Sequence, residues 1–245
     1  MEILKNVRYA EAAPCLLDMY LPEKKGFKTV VDFHGGGMEA GDKTEEVFQK
    51  TGAYLAEKGV AFVAANYRMY PDAKFPEFIE DAAKAVAFAK REIVSYGGSG
   101  ELYVAGHSAG AYLTLMLCLD RRYLLRENMN GEEICGWLSD SAQTTVHYNV
   151  LRERGEDTRI ERIDAAAPLY FSDDNASFGK LLLLSYDDDI PCRLTQNRLL
   201  CESLRRFGKN GVRLDVLKGA HTQACRADEN GNYPIAEILL RFVQE

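Results

Sequence analysis

The sequence predicts an α/β protein: a mostly parallel central sheet with helices on both faces and a small cap insertion. Three observations predict it. Short apolar, β-branched runs alternate with longer helical ones. Glycines mark the joins between them. Of the 245 residues, 47% are hydrophobic, enough for one large core, and no repeat or low-complexity tract divides residues 1–245 into further domains.

The first two runs, "EILKNVRYAEA" and "CLLDMYLP", have no helix between them and predict an antiparallel hairpin at the sheet edge. "TVVDFHGG" and "VAFVAANYR" are buried strands, separated by the helical "EEVFQKTGAYLAEKG" with Gly59 as its C-cap. "PEFIEDAAKAVAFAKREIVSYGG" repeats the scheme, with Pro76 at its start and a Gly-Gly stop. "ELYVAGHS" is the next strand and "AGAYLTLMLCLDRRYLLREN" the next helix. Strands follow at "EEICGWLSDS", "KLLLLSYDD" and "VRLDVLKGA", with the helix "NRLLCESLRRFGKNG" between the last two and "PIAEILLRFVQE" closing the chain. The segment 142–171 breaks this rhythm. It is long, charged and only partly helical, and a loop of that length is usually functional. It is expected to be a cap over the strand ends.

A formal charge of −7 disfavours nucleic acid as a partner. No Lys/Arg run exceeds two residues and no apolar stretch approaches the ~20 residues of a membrane span, so no membrane partner is expected. The N-terminus lacks the pattern of a secretory signal. The six cysteines form no close pairs, so neither a metal nor a dithiol site is expected; free thiols fit a cytoplasmic protein. A homo-oligomer stays open.

Chemistry in an open parallel sheet gathers at the carboxyl ends of its strands. Ser108 stands there, after "LYVAG" and before a helix, in the G-x-S-x-G pattern Gly106-His107-Ser108-Ala109-Gly110. A serine on so tight a turn is strained but exposed, and the following helix directs free N–H groups toward it. A three-position pattern also arises by chance, so partners must decide. "HGGGMEAGDK", at the end of another strand, offers the N–H groups of Gly35 and Gly36 opposite that of Ala109 as an oxyanion site. Of four histidines, His221, in "VLKGAHTQ" after the last predicted strand, is the expected base. "LLLLSYDDDIPCRL" offers Asp187, Asp188 and Asp189 at the end of a strand, and the acid is expected at Asp187, the first of them; Asp189 stands second, and Asp140, at the end of the preceding strand, is an outsider. Substrate contacts are expected from Met38 after the glycines, His107 beside the serine, and Gln143 and His147 in the insertion.

The order Ser108, Asp187, His221 is that of the α/β-hydrolase arrangement. "HGGGMEAGDK", "ANYRMYPDAKFPEFIEDAAKAV", "GHSAG", "DAAAPLYF", "YDDDIP" and "GAH" together resemble the HGGG-type esterase/lipase branch of that superfamily, which includes acetyl-xylan-esterase-like and hormone-sensitive-lipase-like carboxylesterases and kynurenine formamidases. The resemblance implies triad roles for Ser108, Asp187 and His221, oxyanion roles for Gly35, Gly36 and Ala109, and structural roles for Asn66, Tyr67, Arg68 and Asp81. It implies no cofactor. Met38 stands where many relatives carry an aromatic, and the long N-terminal cap helices of the lipase type are missing, so small acyl groups are favoured over lipids. The expected function is hydrolysis of short-chain acyl esters, including acetyl esters of sugars. The nearest rival is an amidase of the formamidase type, and a different class is a catalytically inactive hydrolase-fold receptor for small molecules.

Overall fold

The computed structural model describes residues 1–173 and 178–245. Its strands are β1 (Glu2–Arg8), β2 (Leu16–Leu21), β3 (Phe27–Phe33), β4 (Val60–Ala65), β5 (Gly98–His107), β6 (Ile134–Asp140), β7 (Lys180–Asp188) and β8 (Val212–Ala220). They form one sheet in the order β1-β2-β4-β3-β5-β6-β7-β8. The expected hairpin is the antiparallel β1–β2 pair at one edge; β2 and β4 are also antiparallel, and every later pair is parallel. The carboxyl ends of β3, β5, β6, β7 and β8 therefore share one rim.

The helices are α1 (Glu46–Glu57), α2 (Glu77–Glu92), α3 (Ala109–Leu119), α4 (Arg122–Arg126), α5 (Tyr148–Glu153), α6 (Arg193–Arg206) and α7 (Pro234–Gln244). Alternation along the strands builds a core on each face. Val31, Phe33, Leu102 and Val104 join the side covered by α2, α3 and α6, while Val30, Tyr103 and Ala105 join the side covered by α1 and α7. In α2, Phe78, Ile79, Ala82, Val86 and Ala89 recur at helical spacing and bury one stripe. By contrast, α3 is buried on every side, which seats it at the centre of the molecule.

One predicted helix is two. The run read as continuous over 109–128 breaks at Asp120, whose backbone is extended (φ −98°, ψ 94°). Its carboxylate accepts the Arg122 N–H (3.2 Å) and the Arg122 Nε–H (2.8 Å), starting α4 afresh. Within 142–171 the chain forms α5 and a 3-10 turn at Pro168–Phe171.

Candidate active site

Ser108 occupies the turn from β5 into α3 with φ 55° and ψ −110°, a left-handed backbone that costs a side-chain-bearing residue ~1–3 kcal/mol. Its surroundings fix that geometry. The Ser108 N–H donates to the Asp140 carbonyl (2.8 Å), and its own carbonyl accepts the Tyr112 N–H (3.0 Å). A Cβ at Gly106 would strike the Gly110 carbonyl, and one at Gly110 would strike the Phe33 carbonyl, so both glycines are required by close approach.

His221, just beyond β8, places Nε2 2.9 Å from Ser108 Oγ and Nδ1 2.6 Å from Asp189 Oδ1. The imidazole is 20% exposed and the carboxylate 1%. Asp189 is held by more than the histidine: Oδ2 accepts the Ser141 hydroxyl (2.5 Å) and Oδ1 the Ile190 N–H (2.7 Å). Burial alone would raise the Asp189 pKa, but these hydrogen bonds outweigh it and hold the carboxyl below its ordinary range.

Asp189, not Asp187, therefore meets the histidine. The expected position was wrong because β7 runs two residues farther than its apolar stretch. Asp187 is still within β7, at the register irregularity between Tyr186 and Asp188; it is exposed, and its Oδ1 accepts the Gly219 N–H (2.8 Å). Asp140 is engaged elsewhere, with His107.

Gly35 and Gly36 line a cleft of about 520 Å³ together with Ser108 and His221. Gly35 packs so closely over the turn that a Cβ there would sit 3.2 Å from Ser108 Cβ. Ala109 is the first residue of α3, where N–H groups have no acceptor within the helix. The loop is braced from behind. The Tyr67 hydroxyl donates to the His34 carbonyl (2.9 Å), and its ring stacks on His34 at 4.5 Å. Arg68 grips Asp81 through Nε (2.7 Å) and Nη2 (2.9 Å), and the Asn66 Oδ1 accepts the Lys43 N–H (2.7 Å).

Three of the four expected substrate contacts lie elsewhere. Met38 is fully buried: the chain turns left-handed at Gly36, Gly37 and Met38 (φ 93°, 67° and 62°), which carries the side chain into the core. Gln143 fastens its own segment, donating to the Val146 carbonyl (3.0 Å) and accepting the Tyr148 N–H (3.2 Å). His147 is the N-cap of α5, buried against Tyr112 and Tyr148; burial, then Arg193 and Arg152, keep it neutral. His107 does border the cleft, but its nitrogens point inward.

That inward cluster is tight. His107 Nε2 lies 3.0 Å from Asp32 Oδ2, Nδ1 lies 3.1 Å from Asp140 Oδ2, and the Cys225 Sγ is 3.0 Å from Nδ1. Burial pulls the His107 pKa down, but Asp32, Cys225 and Asp140 together raise it well above the usual histidine value. Burial pushes the Cys225 thiol up to about 12. His107, Asp140 and Cys225 also bring potential metal-ligand atoms within 4.8 Å of one another. Their mutual separations are those of a hydrogen-bonded cluster.

Sequence reasoning missed Tyr148, Ile190 and Arg193 as cleft residues. Tyr148 could have been found as the neighbour of His147 on the insertion. Arg193 carries no motif; only the start of α6 places it. The insertion docks on the glycine loop through Asn149, whose Nδ2 donates to the Gly37 carbonyl, and through Arg152 on Glu39 (2.5 Å).

A family model described as BD-FAE matches residues 17–151. A probable isoprenylcysteine alpha-carbonyl methylesterase, ICMEL1, of Oryza sativa subsp. japonica is 33% identical over 134 residues, 54% of this chain and 31% of that one. Kynurenine formamidase of Danio rerio is 32% identical over 118 residues, 47% of this chain and 39% of that one. The chain thus spans between 31% and 39% of the length of these curated relatives. Among solved structures, a truncated carbohydrate esterase from gut microbiota superposes with TM-score 0.79 at 17% identity, covering 100% of this chain and 95% of that one. Propionate-bound esterase Est2 of Thermogutta terrifontis gives 0.77 at 19%, covering 99% and 93%. At these identities the likeness is one of fold.

Proposed function

The chain belongs to the BD-FAE family, on an α/β-hydrolase fold, and from that premise we propose that it is a serine carboxylesterase acting on short-chain acyl esters. The observation that carries the reading is the relay Ser108 Oγ–His221–Asp189, at 2.9 and 2.6 Å, on a strained turn facing an open cleft. With Nδ1–H donated to Asp189, Nε2 of His221 is free to accept the serine proton as Ser108 attacks the ester carbonyl. The N–H groups of Gly35, Gly36 and Ala109 receive the developing oxyanion. His221 then protonates the leaving alcohol, and water repeats the sequence on the acyl-enzyme.

A cleft of about 520 Å³, with α5 forming one wall as a small cap, suits an acetyl or similarly short acyl group better than a lipid chain. Acetylated carbohydrate is the substrate class we favour. The test is turnover of a p-nitrophenyl ester series from acetate upward beside acetylated sugars, with fluorophosphonate labelling. Labelling and acetate turnover that both vanish in Ser108→Ala support the reading. A folded protein that neither labels nor cleaves any member overturns it and revives the receptor alternative. The similarity to a kynurenine formamidase favours one second reading: N-formyl amides would then exceed matched esters in kcat/KM.

A further inference from the structure

Arg193 is 5% exposed, yet it lines the same cleft as Ser108 and His221. Its Nη1 donates to the Ser141 carbonyl (2.7 Å), while Nε is buried without a partner. Among the described residues it forms no ion pair. The carboxylates that face it, Asp189 and Glu161, are engaged elsewhere: Asp189 with His221 and Ser141, Glu161 with Thr145 (2.7 Å) and Gln196 (2.7 Å). Tyr148 and His147 complete its surroundings, and His147 is neutral. Burial pushes the guanidinium down to about 10, so it stays charged at neutral pH. An enclosed cation whose donors are only partly satisfied is costly unless something completes it.

The rest of the cleft agrees. Exposed Arg226 adds a second cation, and Glu45, the one carboxylate among the described lining residues, has its Oε1 turned to the Asp42 N–H (3.0 Å). Arg193 is also the first residue of α6, where the helix dipole attracts negative charge.

We propose that Arg193 is a specificity determinant that binds a carboxylate carried by the substrate beside its scissile ester. This rests on the esterase reading and narrows it to acidic esters. A planar guanidinium suits a carboxylate, which can accept from two of its N–H groups at once. The carboxylate lies on either the acyl or the alcohol side, and the two are separable by experiment.

The test compares kcat/KM within two matched pairs. For the acyl side these are p-nitrophenyl hemisuccinate and its neutral succinamate; for the alcohol side, 4-acetoxybenzoate and 4-acetoxybenzamide. The wild type is expected to prefer the anion in one pair by about tenfold or more, a charge-assisted hydrogen bond being worth that much. The anionic-to-neutral ratio in that pair should fall about 10- to 100-fold in Arg193→Gln and by less in Arg193→Lys. A wild-type preference under about threefold in both pairs overturns the inference with no variant needed, threefold being well below the value of such a bond. A ratio that Arg193→Gln leaves unmoved also overturns it, and reduces the side chain to a prop for the Ser141 carbonyl. If the wild type cleaves p-nitrophenyl acetate but none of the four esters, the inference falls and the esterase reading stands; if it cleaves none of them, p-nitrophenyl acetate included, and takes no fluorophosphonate label, the esterase reading itself has failed.

Discussion

His107 and His221 border the same cleft as Ser108, each bonded to a buried aspartate side chain, yet their surroundings differ in kind. The His107 side chain is 5% exposed and lies between two carboxylates, Asp32 and Asp140. The His221 side chain is 20% exposed and lies between one carboxylate and a hydroxyl. A second carboxylate fixes the proton of His107 in place, whereas a hydroxyl leaves His221 a neighbour with which a proton can be exchanged. The same side chain thus serves as a cross-link between β3, β5 and β6 at one position and, in the mechanism we propose, as a base over the cleft at the other.

The sharpest break of this comparison is in activity. Ser108→Ala and His221→Gln should each lower kcat by about 10⁴- to 10⁶-fold, read with p-nitrophenyl acetate, while the melting temperature stays near that of the wild type. Asp189→Asn should cost about 10²- to 10⁴-fold, since the imidazole loses its orienting acceptor. Asp187→Asn, two residues away and solvated, should stay within about twofold. Equal losses from the two aspartate variants would show that the relay runs otherwise.

Replacement of His107 should tell in stability first. In His107→Gln the Asp32 and Asp140 carboxylates lose their cation inside the protein, and the unfolding free energy measured in urea should drop by about 3–5 kcal/mol. Turnover per folded molecule should remain well above that of His221→Gln. The smallest effect is in pH dependence, where the two sites run in opposite directions. The His107 pKa is raised on folding, so its contribution is fully present below the unfolded value of about 6.5 and is lost as pH rises through the folded value. The Asp189 pKa is lowered, so its contribution is present above the unfolded value and is lost as pH falls through the folded one. The stability difference between wild type and His107→Gln should therefore shrink toward alkaline pH, while that for Asp189→Asn should shrink toward acid.

The alternation of strands and helices, the edge hairpin, the Ser108 turn and its meeting with His221 were legible because each is written locally: an apolar alternation, a tight-turn pattern, a histidine straight after a strand. Asp189 was harder. The sequence shows three aspartates in a row, and only the length of β7 decides which one leaves the ladder first. Met38, Gln143 and His147 misled for a related reason. Proximity along the chain to a site says nothing about which way a left-handed turn or a helix cap aims the side chain. Arg193 was invisible because its position depends on how α6 packs against the segment after β6, a contact between residues more than fifty apart in sequence.

The crossing of Gly106, Gly110 and the Phe33 carbonyl sets backbone directly against backbone beneath Ser108. A Cβ added at either glycine meets main chain, and the Thr114 hydroxyl, donating to the Gly110 carbonyl (3.0 Å), closes the remaining space, so neither glycine position tolerates a graded increase in size. Diversification of such a scaffold is thereby confined to the rim: the segment bearing Tyr148, the entrance to α6 and the loop after His221 can vary, while the hydroxyl they surround keeps one fixed height.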